Sequence, residues 1–126
     1  MRLRSGLVIA ALVGCAPAAF AKAELSEARK WRILLPTVRA ATDCLARAVL
    51  ASPAAANNAR QENWADAVRS VSSTCEAARL RLTREHDRLY GPGTGITFLE
   101  GPYTFELPRA LRARIQARFI NGLGKG

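Results

Sequence analysis

The sequence predicts a mainly α-helical protein, a small disulfide-stapled bundle of three to four helices with a Gly/Pro/aromatic loop or short hairpin before the last helix. Apolar residues recur at steps of three and four over two long stretches, which is the pattern of amphipathic helices. One cysteine lies in each stretch, Cys44 in the first and Cys75 in the second. Residues 91–107 concentrate glycine, proline and aromatic residues, so they separate these helices from a final basic one.

The first 21 residues indicate an export signal. Two arginines and a short apolar run at 7–13 precede Ala-Phe-Ala at 19–21, the small-x-small form that signal peptidase accepts. The run is too short for a membrane span, which needs about 20 apolar residues. An alternative is Leu-Val-Gly-Cys at 12–15, which resembles a lipobox and would anchor a lipoprotein through a lipidated Cys15. The well-formed site favours cleavage after Ala21, and hence a periplasmic or secreted protein.

Cleavage would leave one domain by length. The predicted parts are the signal peptide at 1–21 and a single helical domain at 22–126, with helices and the disulfide at 22–90, the Gly/Pro/aromatic loop at 91–107, a basic amphipathic helix at 108–121 and a tail at 122–126. Two cysteines then remain in a compartment that permits disulfides, so we expect a Cys44–Cys75 bond.

The first helical stripe covers residues 24–51 and is interrupted by Pro36, where we expect a kink or a restart. Residues 52–58 (SPAAANN) indicate a connector. The second stripe begins at Trp64 and ends at Gly91, whose type suits a helix C-cap. Trp31 and Trp64 lie on the two stripes and are therefore predicted core residues.

The expected disulfide conflicts with a simple hairpin of these two helices. With a turn near Ala55, Cys44 lies opposite residue 66, so Cys75 is displaced by about 13 Å along the axis at 1.5 Å per residue. A disulfide needs Cα atoms within about 7 Å of each other. Either the second helix breaks near Ser72-Ser73, where STCE at 73–76 fits a capping box, or an extended connector slides one helix past the other.

One cluster of polar residues is a candidate site. His86 is the single histidine, and it lies between Glu85 and Asp87 near the glycine-rich stretch 91–95. Adjacent residues on a helix point in different directions, so a salt-bridged and capped helix end is the simpler interpretation. The glycine stretch lacks the Gly-Lys-Ser/Thr ending of a phosphate loop. One histidine with scattered carboxylates does not predict a metal site, and we expect no cofactor.

Positive charge is concentrated at the C-terminus. The formal net charge is +9, and residues 108–126 carry five basic residues and no acidic one. For an exported protein this indicates an unknown protein or an anionic envelope component as partner, with peripheral membrane contact as an option, and not nucleic acid. The candidate binding residues are three aromatic side chains and four arginines: Phe98, Tyr103, Phe105, Arg109, Arg112, Arg114 and Arg118.

The run from His86 to Ile115, notably HDRLYGPGTG, GPY and LPRALRARI, resembles small uncharacterised exported proteins of Gram-negative bacteria that pair a signal peptide with two cysteines on helices. This resemblance implies no activity. The leading hypothesis is therefore a non-enzymatic interaction or binding protein. The alternatives are a small hydrolase or lyase that uses His86 with Glu85 or Asp87, and a chaperone-like periplasmic stress protein. The sequence does not indicate an oligomeric state.

Overall fold

The computed structural model describes Gly14 and residues 24–123, and every regular element in that part of the chain is helical. The predicted signal peptide, with Cys15, and residues 124–126 of the predicted tail lie outside the described residues. The elements are α1 (Glu27–Ala51), α2 (Pro53–Arg60), α3 (Trp64–Val71), a 3₁₀ turn (Ser72–Cys75), α4 (Glu76–Tyr90), α5 (Thr94–Phe98), a π-helical turn (Leu99–Tyr103) and α6 (Thr104–Leu123). A small disulfide-stapled helical bundle, the predicted fold class, is confirmed.

Helix α1 is the centre of the bundle, and α2, α3, α4 and α6 all pack against it. Ser26 starts the helix, because its side chain accepts a hydrogen bond from the backbone N–H of Arg29. Leu34, Leu45 and Val49 on the inner face are fully buried. The restart considered at Pro36 does not occur, since α1 continues through this residue. Pro36 lies on the exposed side, where water can satisfy the carbonyl that its missing N–H leaves unpaired.

The predicted connector at 52–58 is wrong, because Ser52 caps helix α2 and the residues after it belong to that helix. Ser52 accepts a hydrogen bond from the N–H of Ala55, and Pro53 occupies the first turn, where its missing N–H costs nothing. Ala55 and Ala59 then form a buried face one helical turn apart. Ser52 and Pro53 are therefore helix-start residues and not turn residues.

The second predicted stripe does break near Ser72-Ser73. A 3₁₀ turn separates α3 from α4, although the predicted capping box does not form, since α4 begins without a side-chain cap. Helix α4 runs antiparallel to α1, with Cys75 bonded to Cys44 at one end and Lys30 over the ring of Tyr90 at the other. The Cα atoms of the two cysteines are 5.8 Å apart, which confirms the predicted disulfide. Helices α2 and α3, which lie between α1 and the 3₁₀ turn in the chain, account for the axial offset between Cys44 and Cys75 that a simple hairpin would leave.

The predicted loop or short hairpin at 91–107 is also wrong. Gly91 (φ 115°) and Gly93 (φ 80°) turn the chain sharply in a region of φ that favours glycine, and helix begins again at Thr94. Pro102 lacks an N–H for the usual helical hydrogen bond, and the backbone widens there into the π-helical turn. The hydroxyl of Thr104 donates to the carbonyl of Leu99 at 2.6 Å, which satisfies a backbone acceptor inside that turn.

The last helix is longer than predicted. It begins at Thr104 instead of Pro108, because it continues directly from the π-helical turn, and it extends through Asn121 and Gly122. It packs against α1, where Tyr103, just before its start, lies against Thr42 and Arg114 pairs with Asp43. Its inner face is formed by two buried leucines, Leu107 and Leu111.

Helices α4 and α5 approach each other so closely that only glycine fits at residue 95. A Cβ atom on Gly95 would lie 2.2 Å from the backbone oxygen of Thr83 and 2.8 Å from the Asp87 carboxylate. The backbone N–H of Gly95 donates to that carboxylate at 2.7 Å, so the contact is also hydrogen-bonded. This close approach holds α5 against the C-terminal half of α4.

We predict that Gly95→Ala lowers the free energy of unfolding by about 1–3 kcal/mol or more, since a backbone oxygen must move to admit the methyl group. Gly101→Ala is the matched control, because a Cβ there meets nothing within 4 Å. In the helical interior it should stabilise the protein by about 0.5–1 kcal/mol. Urea denaturation measures both. Equal effects of the two substitutions would contradict the close approach.

We predict that Cys44→Ala combined with Cys75→Ala lowers the free energy of unfolding by about 3–4 kcal/mol, because the disulfide closes a loop with a sequence separation of 31. Thermal and urea unfolding of the double variant measure the loss. The wild type unfolded in the presence of a reductant is the control and should match the variant. A difference below about 1 kcal/mol between oxidised and reduced wild type would mean that helix packing alone sets the register.

Candidate binding site around His86

A cluster of aromatic rings surrounds His86 at the C-terminal end of α4. The imidazole is 9% exposed and lies between two rings, with its centroid 4.5 Å from that of Tyr90 and 4.6 Å from that of Phe98. Both pairs are stacked, at interplanar angles of 24° and 19°. Phe98 also contacts Trp31 edge-on at 6.4 Å and Tyr103 at 6.2 Å. We call these five residues, His86, Tyr90, Phe98, Trp31 and Tyr103, the aromatic cluster.

The local backbone explains why these rings meet. His86 and Tyr90 are four residues apart on α4, so they share one face of that helix. The turn at Gly91 and Gly93 reverses the chain, and α5 then carries Phe98 back over His86. The cluster therefore depends on a short reversal that two glycines make.

Hydrogen bonding determines which nitrogen of His86 carries the proton. Nδ1 lies 2.9 Å from the hydroxyl of Thr94, and that hydroxyl donates its own proton to the carbonyl of Gly91 at 2.7 Å. With the hydroxyl proton of Thr94 directed at that carbonyl, Nδ1 is the donor, and the neutral imidazole keeps a lone pair on Nε2. Nε2 has no hydrogen-bond partner within the described residues and is not fully enclosed. It is thus an acceptor that a ligand can reach.

Burial lowers the pKa of His86 below its usual 6.5, because the imidazolium ion loses hydration there. The negative charge of Asp87 opposes this effect only in part. The neutral form of the ring is therefore favoured at pH 7.

The two carboxylates beside His86 are engaged elsewhere. Glu85 forms an ion pair with Arg88, and the hydrogen bond from Arg88 lowers the pKa of Glu85. Asp87 accepts the hydrogen bond from the N–H of Gly95. The Glu85–Arg88 pair matches the expected salt bridge at the helix end. The partner that orients His86 is Thr94, a residue that the sequence analysis did not select.

An open groove of about 650 Å³ runs beside the aromatic cluster. It is lined by His86, Tyr90, Pro92, Gly93, Thr94, Thr97, Phe98 and Pro102.

Trp31 is 43% exposed, so its predicted place in the core is wrong, whereas the predicted place of Trp64 in the core is confirmed, since it is 9% exposed. Lys30 lies over the ring of Tyr90 at 5.1 Å, which is a cation–π contact. The cluster therefore has one buried side and one side open to solvent.

The aromatic residues of the predicted binding surface are separated in the fold. Phe98 and Tyr103 belong to the aromatic cluster, and Tyr103 is buried, with its hydroxyl 3.1 Å from that of Thr42. Phe105, by contrast, is 83% exposed. The structure thus unites Phe98 and Tyr103 with His86, and it leaves Phe105 outside the cluster.

The four arginines of that predicted surface do not form one face of α6. Arg112 pairs with Glu62 and lies 5.8 Å over the ring of Trp64, while Arg114 pairs with Asp43. These two hold α6 against the rest of the bundle. The other two, Arg109 and Arg118, are exposed and have no acidic partner within the described residues. They are nine positions apart, which places them on roughly opposite sides of the helix at 3.6 residues per turn.

No three His, Cys, Asp or Glu side chains in the described part of the chain are grouped so that they could hold a metal ion. Within residues 24–123, none of the helices combines the length and hydrophobicity that a membrane span requires. The disulfide indicates an oxidising compartment.

Comparisons with protein-family models, curated proteins and solved structures find no match to this chain. The class of the protein is therefore defined by its own geometry. It is a small all-α bundle, stapled by one disulfide, with an aromatic groove at one end.

We predict that the free energy of unfolding falls as the pH drops below about 6.5. The unfolded chain binds a proton on His86 near that pH, whereas the folded protein resists protonation because the ring is buried. The unfolded state therefore binds more protons, and stability is lost until the folded pKa is passed. Urea denaturation between about pH 5 and pH 7.5 measures this loss of stability. Glu85, whose pKa is lowered, affects the stability only at lower pH.

His86→Phe is the control for this pH dependence, because it keeps an aromatic ring in the stack and removes the titrating group. Its stability should change little over the same interval. If the free energy of unfolding depends on pH in the same way in the variant and the wild type, a group other than His86 titrates in this interval.

Proposed function

We propose that this protein is a non-enzymatic interaction protein of the bacterial periplasm, which binds an extended, proline-containing segment of a partner protein in the groove beside His86. The observation that carries the proposal is the half-exposed aromatic cluster, with its stacked rings and the accessible Nε2 of His86. The periplasmic location rests on the predicted export signal and on the disulfide.

The shape of the groove favours a peptide over a small metabolite. Pockets for small molecules are concave and bury most of the ligand. The groove beside His86 is open along its length and is lined by aromatic faces and by two prolines, Pro92 and Pro102. Aromatic-lined grooves are a recurring way of binding proline-rich extended segments, whose low flexibility reduces the entropy lost on binding.

A polar group beside the groove adds direction to this recognition. Nε2 of His86 accepts a hydrogen bond, so it fits a backbone N–H of the bound segment. Lys30 lies at the edge of the cluster, but it pairs with Glu27 at 3.3 Å and brings no free charge to the groove.

The proton arrangement at His86 favours binding over catalysis. A histidine that activates a hydroxyl nucleophile must accept its proton. Here Nδ1 donates to Thr94, and the proton of Thr94 is directed at the carbonyl of Gly91. The neighbouring carboxylates are bonded to Arg88 and to Gly95 and do not orient the ring. Nε2 of His86 keeps the lone pair of a base, but the hydrolase or lyase hypothesis lacks an acid that orients the ring, and the hydroxyl beside the ring, that of Thr94, is bonded to Gly91.

We predict that a random peptide library selected against the full mature protein yields proline-containing peptides that quench Trp31 fluorescence in a Trp64→Phe background. Thr97→Arg should weaken their binding at least about tenfold, because Thr97 is exposed and lines the groove. Thr74→Arg is the matched control, since Thr74 is exposed beside the opposite end of α4 and should leave the affinity unchanged.

Two outcomes contradict this proposal in different ways. Equal affinities of the Thr97→Arg and Thr74→Arg variants would mean that the peptides bind elsewhere. Mass spectrometry of the same mixtures tests for cleavage of the peptides. Cleavage that disappears in His86→Gln would favour the hydrolase hypothesis instead.

A further inference from the structure

A second groove, with a volume of about 380 Å³, lies between α3 and α6 over Leu45 of α1. Trp64 and Val68 form one wall, while Leu99 and Leu107 form the other. Its size falls within the range of about 300–1,000 Å³ that is common for ligand pockets. No residue lines both this groove and the one beside His86, so it is a separate site.

The hydroxyl groups in this second groove have no proton to offer a ligand. Ser72 donates to the backbone carbonyl three residues earlier, and Thr104 donates to the one five residues earlier. The hydroxyl of Tyr103 must donate to Thr42, because Thr42 gives its own proton to the carbonyl of Val38 at 2.8 Å. The side-chain donors that remain in the lining are guanidinium groups.

Two arginines lie in the lining, and they differ in their partners. Arg69 is largely exposed and pairs with Asp66 at 2.7 Å. Arg79 is half-buried, and its guanidinium has neither an ion pair nor a hydrogen bond within the described residues. A guanidinium without a protein partner beside apolar walls can give its hydrogen bonds to a ligand, so Arg79 favours a ligand that brings a negative charge.

The other charges nearby cancel one another. Asp43 and Arg114 form an ion pair with each other, so their opposite effects on the buried Tyr103 hydroxyl largely offset. With Arg69 neutralised by Asp66, the groove carries one net positive charge, that of Arg79. Burial raises the pKa of Tyr103, so its hydroxyl stays neutral and adds no negative charge.

We propose that this groove binds a monocarboxylate with an unbranched apolar chain, such as a medium-chain fatty acid, whose carboxylate pairs with Arg79 and whose chain lies over Leu45. The planar guanidinium matches a carboxylate through two parallel hydrogen bonds. The single net charge fits a monoanion better than a phosphate, which needs more than one cation. The apolar walls, with their hydroxyl protons already used, exclude a polar chain.

Decanoate and decanol, both below the concentration at which they form aggregates, are the probes for this site. The reporter is the fluorescence of Trp64, which lines the groove, in a Trp31→Phe background. Arg79→Gln is compared with Arg81→Gln, which removes the same charge from an exposed position on the same helix. Ala65→Phe fills the groove from an exposed position in its lining, and Ala77→Phe makes the same change at an exposed position outside it.

We expect decanoate to bind at least about tenfold more tightly than decanol, and Arg79→Gln to remove that preference, since a hydrogen bond to a charged group is lost. Arg81→Gln should change the affinity by no more than about twofold, because its charge lies in solvent. Ala65→Phe should abolish binding of both probes, and Ala77→Phe should not.

Three results would overturn the inference. These are a wild type that does not bind decanoate, equal effects of the two arginine substitutions, and equal effects of the two alanine substitutions. None of them bears on peptide binding in the groove beside His86, because that test uses Trp31 as its reporter and a different set of variants.

Discussion

The register between α1 and α4 is the constraint on which the rest of this molecule depends. The bond from Cys44 to Cys75 sets the two antiparallel helices at one end. Because α4 is 15 residues long, the same register brings Tyr90 under Lys30 at the other end. A shift by one helical turn, about 5.4 Å, would separate the His86 face of α4 from the start of α1. Covalent geometry at one end of the bundle thus positions the aromatic cluster at the other.

The reversal after α4 completes this arrangement. Positive φ angles at Gly91 and Gly93 turn the chain within a few residues, and Gly95 lets α5 approach the backbone of α4. Asp87 then holds the N-terminal end of α5 through the N–H of Gly95. A residue of the apparent catalytic cluster therefore has a structural role, and Nε2 of His86 remains as an acceptor that is not fully enclosed. One acceptor beside stacked rings is suited to binding a ligand. Acid–base catalysis needs a second acidic or basic group, so the arrangement favours recognition.

Local patterns predicted the parts of this fold that depend on periodicity. The helical stripes, the disulfide and the end of α4 at Gly91 follow from spacing and residue type. The predictions were wrong where the same residue types are common in two kinds of secondary structure. Ser-Pro at 52–53 marks a turn or the first turn of a helix, and only the packing of Ala55 and Ala59 decides for α2. Glycine, proline and alternating aromatics at 91–107 suggested a hairpin, but a π-helical turn accommodates Pro102 within a helix.

The candidate site was predictable only in part, for a related reason. The sequence indicates His86, Phe98 and Tyr103 as candidates, but their contacts join three separate elements, which no local pattern reveals. Trp31 was misassigned because the stripe of α1 is wider than the face that its neighbours cover. Thr94 carried no signal at all, since its role depends on the reversal that precedes it.

Net charge is a poor guide to where this protein binds anions. Helix α6 carries four arginines and one glutamate, yet Arg112 and Arg114 are paired with acids and Arg109 and Arg118 lie in solvent. Exposed charges interact weakly, because water and salt screen them within about 8–10 Å. Arg79 lies in a stretch of the sequence that mixes arginines with acidic residues, but half-burial beside apolar walls strengthens any interaction that it makes. Selectivity for an anion therefore follows from the environment of one guanidinium, and the number of arginines contributes mainly to solubility and long-range attraction.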